Sequence, residues 1–409
     1  MPPAVNILFV TWDGPQTSYL ESLFLPIFER LSNHGVHFDV LQFRWGDSEQ
    51  AERIAALCRN SGIGYRAVTV RRAPAVIGPF ATALFGAVAV REVVRDFRPD
   101  LLMPRSLMPA LAVLAAGGRR LRPIVFDADG LEADERAEFR GLSRASLIYR
   151  MFRSIERRAA QQAESVLVRT GEAAAILSGR SSVEIERFHI VTNGRDPTIF
   201  RPPNEGERQQ ARAELQLDAG TPLLVYAGSI GPQYRLDLVA ETFAALLQRS
   251  TEARLLVLTS NPSNAVNALE QQRPGIGRWT TALHAPPSRV PFYLGAADAG
   301  LAFRSDSFSK RAIAPIKLGE YLLCGLPVIG TRMAGSDRAA AASGVLLADS
   351  EGPERAAEWL LNAVLPDRDS FAGRARSIGL EFFSLERSVD DYLAAIGRTA
   401  EVRHNPYVC

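Results

Sequence analysis

Short runs of β-branched and aliphatic residues alternate along the chain with longer stretches in which apolar residues recur every three or four positions. This alternation predicts parallel sheets built from β-α-β units, because a parallel strand pair needs a crossover long enough to hold a helix. In the first half, 5–11, 36–43, 65–70, 101–104, 124–127, 165–169 and 189–191 read as strands. Helices are expected between them at 19–33, 49–60, 79–97, 109–116, 143–163 and 171–177. A stretch rich in Pro, Gly, Asn and charge, 193–207, then reads as a linker. After it the alternation resumes, with strands at 223–227, 254–259, 299–303 and 328–330 and helices at 236–249, 315–323 and 353–363.

At 409 residues, with 47% hydrophobic and 22% charged, the chain fits two α/β domains and excludes disorder over most of its length. A net charge of +2 gives no reason to expect a nucleic-acid partner. No apolar run approaches the roughly 18 residues of a membrane span, and the N-terminus runs straight into a strand pattern without a charged region or cleavage site, so a cytoplasmic location is expected. Cys58, Cys324 and Cys409 are odd in number and form no C-x-x-C pair, so neither a disulfide framework nor a zinc site is expected. Of the 47 basic residues only Lys310 and Lys317 are lysine, and both lie in one short segment.

That segment is SKRAIAPIKLGEYLLCGLPVIGT, 309–331. Pro315 suits a helix start, which turns free amides toward an anion, and a phosphate is the expected guest at Ile316. Lys317 adds a charge there, and Glu320 can accept hydrogen bonds from a ribose diol. Gly325 and Pro327 end the helix before a buried strand. The bland alternative is an amphipathic helix carrying a surface Lys/Glu pair. In LLVYAGSIGPQYRLDL, 223–238, Gly228 and Gly231 open a strand-to-helix loop to backbone amides, although any tight βα turn uses glycines in this way.

EYLLCGLPVIG closely resembles the C-terminal signature of the retaining family-four glycosyltransferases of GT-B architecture, E-x7-E-A-x-A-x-G-x-P-V. TNGRDPTIFRP is similar to the family's N-G-V-D-x-x-x-F-x-P linker and RVPFYLGAADAGL to its V-P-x-Y-x-x-A-D-V-x-L strand entry. The segment 375–393 looks like its closing helix. The resemblance implies two Rossmann-like doubly wound domains facing a central cleft. Residues 1–200 would bind the acceptor, 201–375 the nucleotide sugar, and 376–409 would form a helix crossing back to the first domain. It also implies that Glu320 holds the donor ribose. The first Glu of the signature is replaced by Ala312, and the Arg and Lys usual in the glycine loop are replaced by Ser229 and Tyr234. Arg235, Lys310, Arg311 and Lys317 are the candidates to supply that charge.

In the first half, IVFDADGLEADE places Asp127, Asp129, Asp134 and Glu135 just beyond a strand. The family often has a catalytic His at this strand end, and none stands here, so Asp127 or Asp129 is the candidate to orient or deprotonate the acceptor hydroxyl. A loop of helix-capping acids is the alternative. The loop after the first strand, with Trp12, Gly14 and Gln16, is the acceptor-side candidate, and Trp12 can equally be a packed aromatic. The stretch 139–158 sets six arginines against Glu156 among apolar residues, which suits either an anionic membrane surface or a core-facing helix with a solvated face.

The expected activity is transfer of a sugar, with retention and without a metal or other cofactor, from a UDP- or GDP-type nucleotide sugar to a glycan or lipid-linked acceptor. A nucleotide-sugar epimerase or hydrolase, or a non-catalytic nucleotide-binding partner protein, are the alternatives on the same architecture.

Overall fold

The computed structural model describes residues 4–15, 19–74, 77–332, 339, 344–346 and 351–404. The chain divides into two compact units that do not follow chain order. The first joins Met1–Thr192 to Arg311–Ile313 and Ser388–Cys409, and the second joins Asn193–Lys310 to Ala314–Arg387.

In the first unit, strands β1 (Val5–Asp13), β2 (Val36–Arg44), β3 (Tyr65–Thr69) and β4 (Leu101–Pro104) form a parallel sheet in the order β3-β2-β1-β4. Strands β5 (Val125–Asp127), β6 (Ser165–Val168) and β7 (Phe188–Ile190) form a second parallel set. Isolated parallel bridges Leu102↔Ile124 and Arg105↔Asp127 join the two sets into one doubly wound arrangement. The loops after β1 and β4 therefore flank the point where the strand order reverses.

The second unit has six parallel strands in the order β10-β9-β8-β11-β12-β13. They are β8 (Leu223–Ala227), β9 (Arg254–Leu258), β10 (Thr280–Leu283), β11 (Ala299–Ala302), β12 (Val328–Gly330) and β13 (Gly344–Leu346). Both faces of β8 are covered. Leu223, Val225 and Ala227 pack with Leu318, Tyr321 and Leu322, while Leu224 and Tyr226 pack with Phe243 and Leu246. Burial on both sides explains why this strand reads as a continuous apolar run. Here the order reverses between β8 and β11, and the loops that follow them carry the site described below.

Several elements escape the sequence pattern for identifiable reasons. Helix Pro262–Gln272 buries only Ala265 and Leu269, so its periodicity is faint. Strand β10 is a half-exposed edge. The expected linker ends early, because Asn204 and Glu207 form a reciprocal capping box that starts helix Glu205–Glu214. The expected helix 143–163 starts later, as Leu147–Gln162 capped by the Ser146 hydroxyl, and a separate short helix, Glu132–Phe139, precedes it. Among the described residues one helix, Ile77–Phe97, is long and apolar enough to cross a membrane, with 44% of its most apolar window buried. Arg91 and Glu92 interrupt its apolar run, which is why the sequence shows no continuous stretch.

Candidate functional site

At the end of β8, Gly228 takes φ +138, a conformation that L side chains rarely adopt. The Lys317 amine lies where a side chain at 228 would go, 3.0 Å from an ideal Cβ. Helix Ile316–Leu323 brings Lys317 there, since Pro315 caps it and Gly325, at φ +74, ends it. Nζ sits 4.0 Å from the centre of the Tyr226 ring and 5.0 Å from that of Tyr234. It is out of solvent and has no hydrogen-bond partner among the described residues. Burial pushes the ammonium down to about 7, Arg304 pushes the same way, and Glu320 opposes them.

The loop after β11 completes this cluster. Arg304 Nε, Ser305 Oγ and Ser307 Oγ are likewise buried without a hydrogen-bond partner among the described residues. The Ser305 N–H donates to the Gln233 carbonyl at 3.1 Å, pinning this loop to the glycine turn, and the Arg304 guanidinium lies 6.0 Å from the Tyr234 ring. Tyr234, which stands where the family's loop lysine is expected, thus has both Lys317 and Arg304 beside it. Arg304, Ser305 and Ser307 were not singled out by sequence reasoning, although a polar run directly after a buried strand was a readable signal. Lys317 at the glycine turn and Arg304 beside Tyr234, with two unpartnered hydroxyls in the loop pinned to that turn, can bind an anion bearing several oxygen acceptors.

The other expected donor residues take different places. Glu320 is buried, and its Oε1 accepts from Arg195 Nε at 2.8 Å and also from Arg195 Nη2. Arg195 stands where the family's linker has Val, so this partner was visible in the sequence as a departure. The Arg235 side chain forks onto Asp237, at 2.6 Å for the closest pair, so its charge is already matched. The Ser229 carbonyl accepts from the Tyr226 hydroxyl at 2.7 Å, and Gly231 leads into the turn Pro232–Tyr234. Lys310 is buried in the turn Phe308–Ala312. Arg311 belongs to the first unit, where its guanidinium lies 3.9 Å from Glu172 and its carbonyl accepts from the Thr170 hydroxyl.

In the first unit the aspartates sit in a knot of charge at the carboxyl ends of β4, β5 and β6. Arg169 Nη2 donates to both oxygens of the fully buried Asp127 at 2.8 Å. Burial opposes the Arg169 charge, but Asp127 holds the guanidinium above its ordinary range. Arg105 Nη2 donates to Asp129 Oδ1 at 2.7 Å, and the Asp129 N–H donates to Asp127 Oδ1 at 3.1 Å. Asp129, at φ +59, keeps 36% of its side chain exposed. Asp134 turns inward and accepts from the Tyr149 hydroxyl and Arg180. The expected carboxylate cluster therefore does not converge, and Asp129 is the open member of the Asp127–Asp129 pair. Trp12 belongs to β1 and stacks on Phe43 with ring centroids 5.3 Å apart. Gly14 is packed so closely on Trp45 that a Cβ would lie 2.5 Å from the indole. Gln16 lies outside the described residues.

Two family models match the chain, "Glycosyltransferase Family 4" over residues 23–199 and "Glycosyl transferases group 1" over 221–364, together most of its length. The chain belongs to the family 4, group 1 glycosyltransferases. A relative in this family, the D-inositol 3-phosphate glycosyltransferase of Segniliparus rotundus, is 29% identical over 243 residues, 57% of this chain and 52% of the relative. The chain spans about half the length of the curated relatives it matches first. Anabaena Alr3699/HepE, solved in complex with UDP, matches with a TM-score of 0.71 at 16% identity, covering 96% of this chain and 100% of that one. WaaG, a glycosyltransferase involved in lipopolysaccharide biosynthesis, matches with a TM-score of 0.70 at 20% identity, covering 96% and 99%. These likenesses establish the GT-B fold for this family member.

Proposed function

We propose that this chain transfers a sugar from a UDP- or GDP-type nucleotide sugar to a hydroxyl of a glycan or lipid-linked acceptor. The observation that carries this reading is the Lys317 ammonium, buried without a hydrogen-bond partner among the described residues against the glycine turn at the strand-order reversal. A desolvated cation is costly to hold, and a diphosphate arriving at Gly228 removes that cost. As the bond from the sugar's anomeric carbon to the diphosphate oxygen breaks, negative charge grows on the leaving nucleotide. Lys317 and Arg304 then stabilise it. Glu320 takes the ribose hydroxyls in competition with Arg195, which already occupies one carboxylate oxygen. The acceptor oxygen bonds to the anomeric carbon on the face from which the diphosphate departs, Asp129 accepts its proton, and Asp127 positions Asp129 through the Asp129 N–H. Retention and independence of metal follow from the family resemblance as parts of the same proposal.

The test is nucleotide release from UDP- and GDP-sugars, with and without an extract of lipid and glycan acceptors. Release should require acceptor, and Asp129→Asn should lower turnover roughly 100- to 10,000-fold while leaving nucleotide affinity unchanged. Equal release without acceptor would reassign the chain as a hydrolase. Tight nucleotide binding with no turnover of any donor would make it a binding protein.

A further inference from the structure

The first unit carries an apolar groove that the transfer chemistry does not use. It lies between helices Ile77–Phe97, Leu107–Ala116 and Leu147–Gln162, has a volume of about 670 Å³, and is walled by Phe80, Leu84, Leu114, Met151 and Ile155. Phe80 and Phe152, with ring centroids 5.4 Å apart, tie the first helix to the third. Arg158 lines the groove as its one charged wall residue.

The surface around the groove is unusual in the same sense. Ile77, Phe85 and Leu147 are 66%, 78% and 74% exposed, and Leu84, Val88 and Met151 are also exposed. Large apolar side chains open to solvent on two helices that meet at the groove mark a contact surface. On helix Leu147–Gln162 the stripe Leu147, Arg150, Met151, Ser154, Arg157, Arg158 recurs every three to four residues, so apolar and cationic side chains share one face. Arg150, Arg157 and Arg158 are exposed, and none makes an ion pair with an acid among the described residues. Elsewhere on the same helix Arg153 is matched by Glu156. Unmatched positive charge set among protruding apolar groups complements an anionic bilayer, in which arginines take the headgroups while the apolar side chains enter the acyl boundary.

We propose that this face, formed by helices Ile77–Phe97 and Leu147–Gln162, docks on a bilayer of anionic phospholipid and that the groove receives an acyl chain. The proposal does not depend on the transfer reaction. It is tested with the full chain and vesicles of phosphatidylcholine, with or without phosphatidylglycerol, by co-flotation. Binding to the anionic vesicles should exceed binding to neutral ones by at least about tenfold and fall as salt is raised. Phe85→Asp and the pair Arg157→Glu, Arg158→Glu should each remove most of it. Both changes lie on exposed side chains, and unaltered thermal unfolding checks that the variants fold. Indole fluorescence of Met151→Trp should be quenched by phospholipid brominated along the acyl chain. Equal binding to both vesicle types, no binding, or no quenching would overturn the proposal. So would a dimer of the free protein that Phe85→Asp dissociates, since a second copy would then cover the face.

Discussion

Both units bury positive charge at the carboxyl ends of parallel strands, and they treat it in opposite ways. In the first unit the charge of Arg169 is matched by Asp127, whose two oxygens both accept from Nη2, although Arg169 Nε and Nη1 have no hydrogen-bond partner among the described residues. In the second, aromatic rings lie beside the Lys317 amine at the glycine turn, and neither Lys317 nor Arg304 makes an ion pair with an acid among the described residues. A matched buried charge holds an architecture together. An unmatched one lowers stability until a ligand arrives, so the contrast separates a scaffold from a binding site. Mutations in the two places should therefore move different observables.

The largest effect is expected from breaking the matched pair. Arg169→Met leaves the Asp127 carboxylate buried without its main counter-ion, which should cost about 3–5 kcal/mol in urea unfolding of the first unit. Nucleotide affinity should stay within twofold. A loss of nucleotide binding with stability intact would reverse the roles assigned to the two sites.

A third buried charge sharpens the comparison through pH. Burial pushes the Glu156 carboxyl up to about 7, against the opposing influence of Arg153 and Arg180. Its folded value lies above its unfolded one, so its contribution to stability is full below about pH 4.5 and is lost as pH rises through about 7. Glu156→Gln should therefore gain on the wild type as pH rises from 5 to 8, by an amount on the order of 2–3 kcal/mol. The two proteins are compared by thermal or urea unfolding at each pH, and parallel stability profiles would show that Glu156 stays ionised throughout.

Much of this was legible in the sequence because apolar runs covered on both faces, such as β8, announce themselves. The donor segment was legible too, since Pro315, Lys317, Glu320 and Gly325 each carry a backbone or charge signature at a fixed spacing. What stayed hidden depends on who pairs with whom. Arg235 looked as available as Lys317, yet Asp237 two residues on takes its charge. Arg311, adjacent in sequence to Lys310, packs with the other unit. Asp127 and Asp129 looked equivalent, and only the strand pairing that sets Arg169 and Arg105 beside them distinguishes the buried carboxylate from the open one. Arg304, Ser305 and Ser307 carried a local signal, a polar run after a buried strand, but placing their loop beside the glycine turn needed the strand order that sets β11 next to β8.

The central claim, that Lys317 is kept unmatched for a diphosphate, is tested most directly by calorimetric titration of UDP at pH 8 in two buffers of different ionisation enthalpy. With its amine held down to about 7, Lys317 is mostly neutral there, so a bound diphosphate should draw close to one proton onto it. Affinity should accordingly weaken as pH rises above about 7. Lys317→Met should abolish the uptake, weaken UDP by about 10- to 150-fold, the equivalent of one charged hydrogen bond, and leave stability equal or higher. Unchanged UDP affinity in the folded variant, or binding without proton uptake by the wild type, would contradict the account.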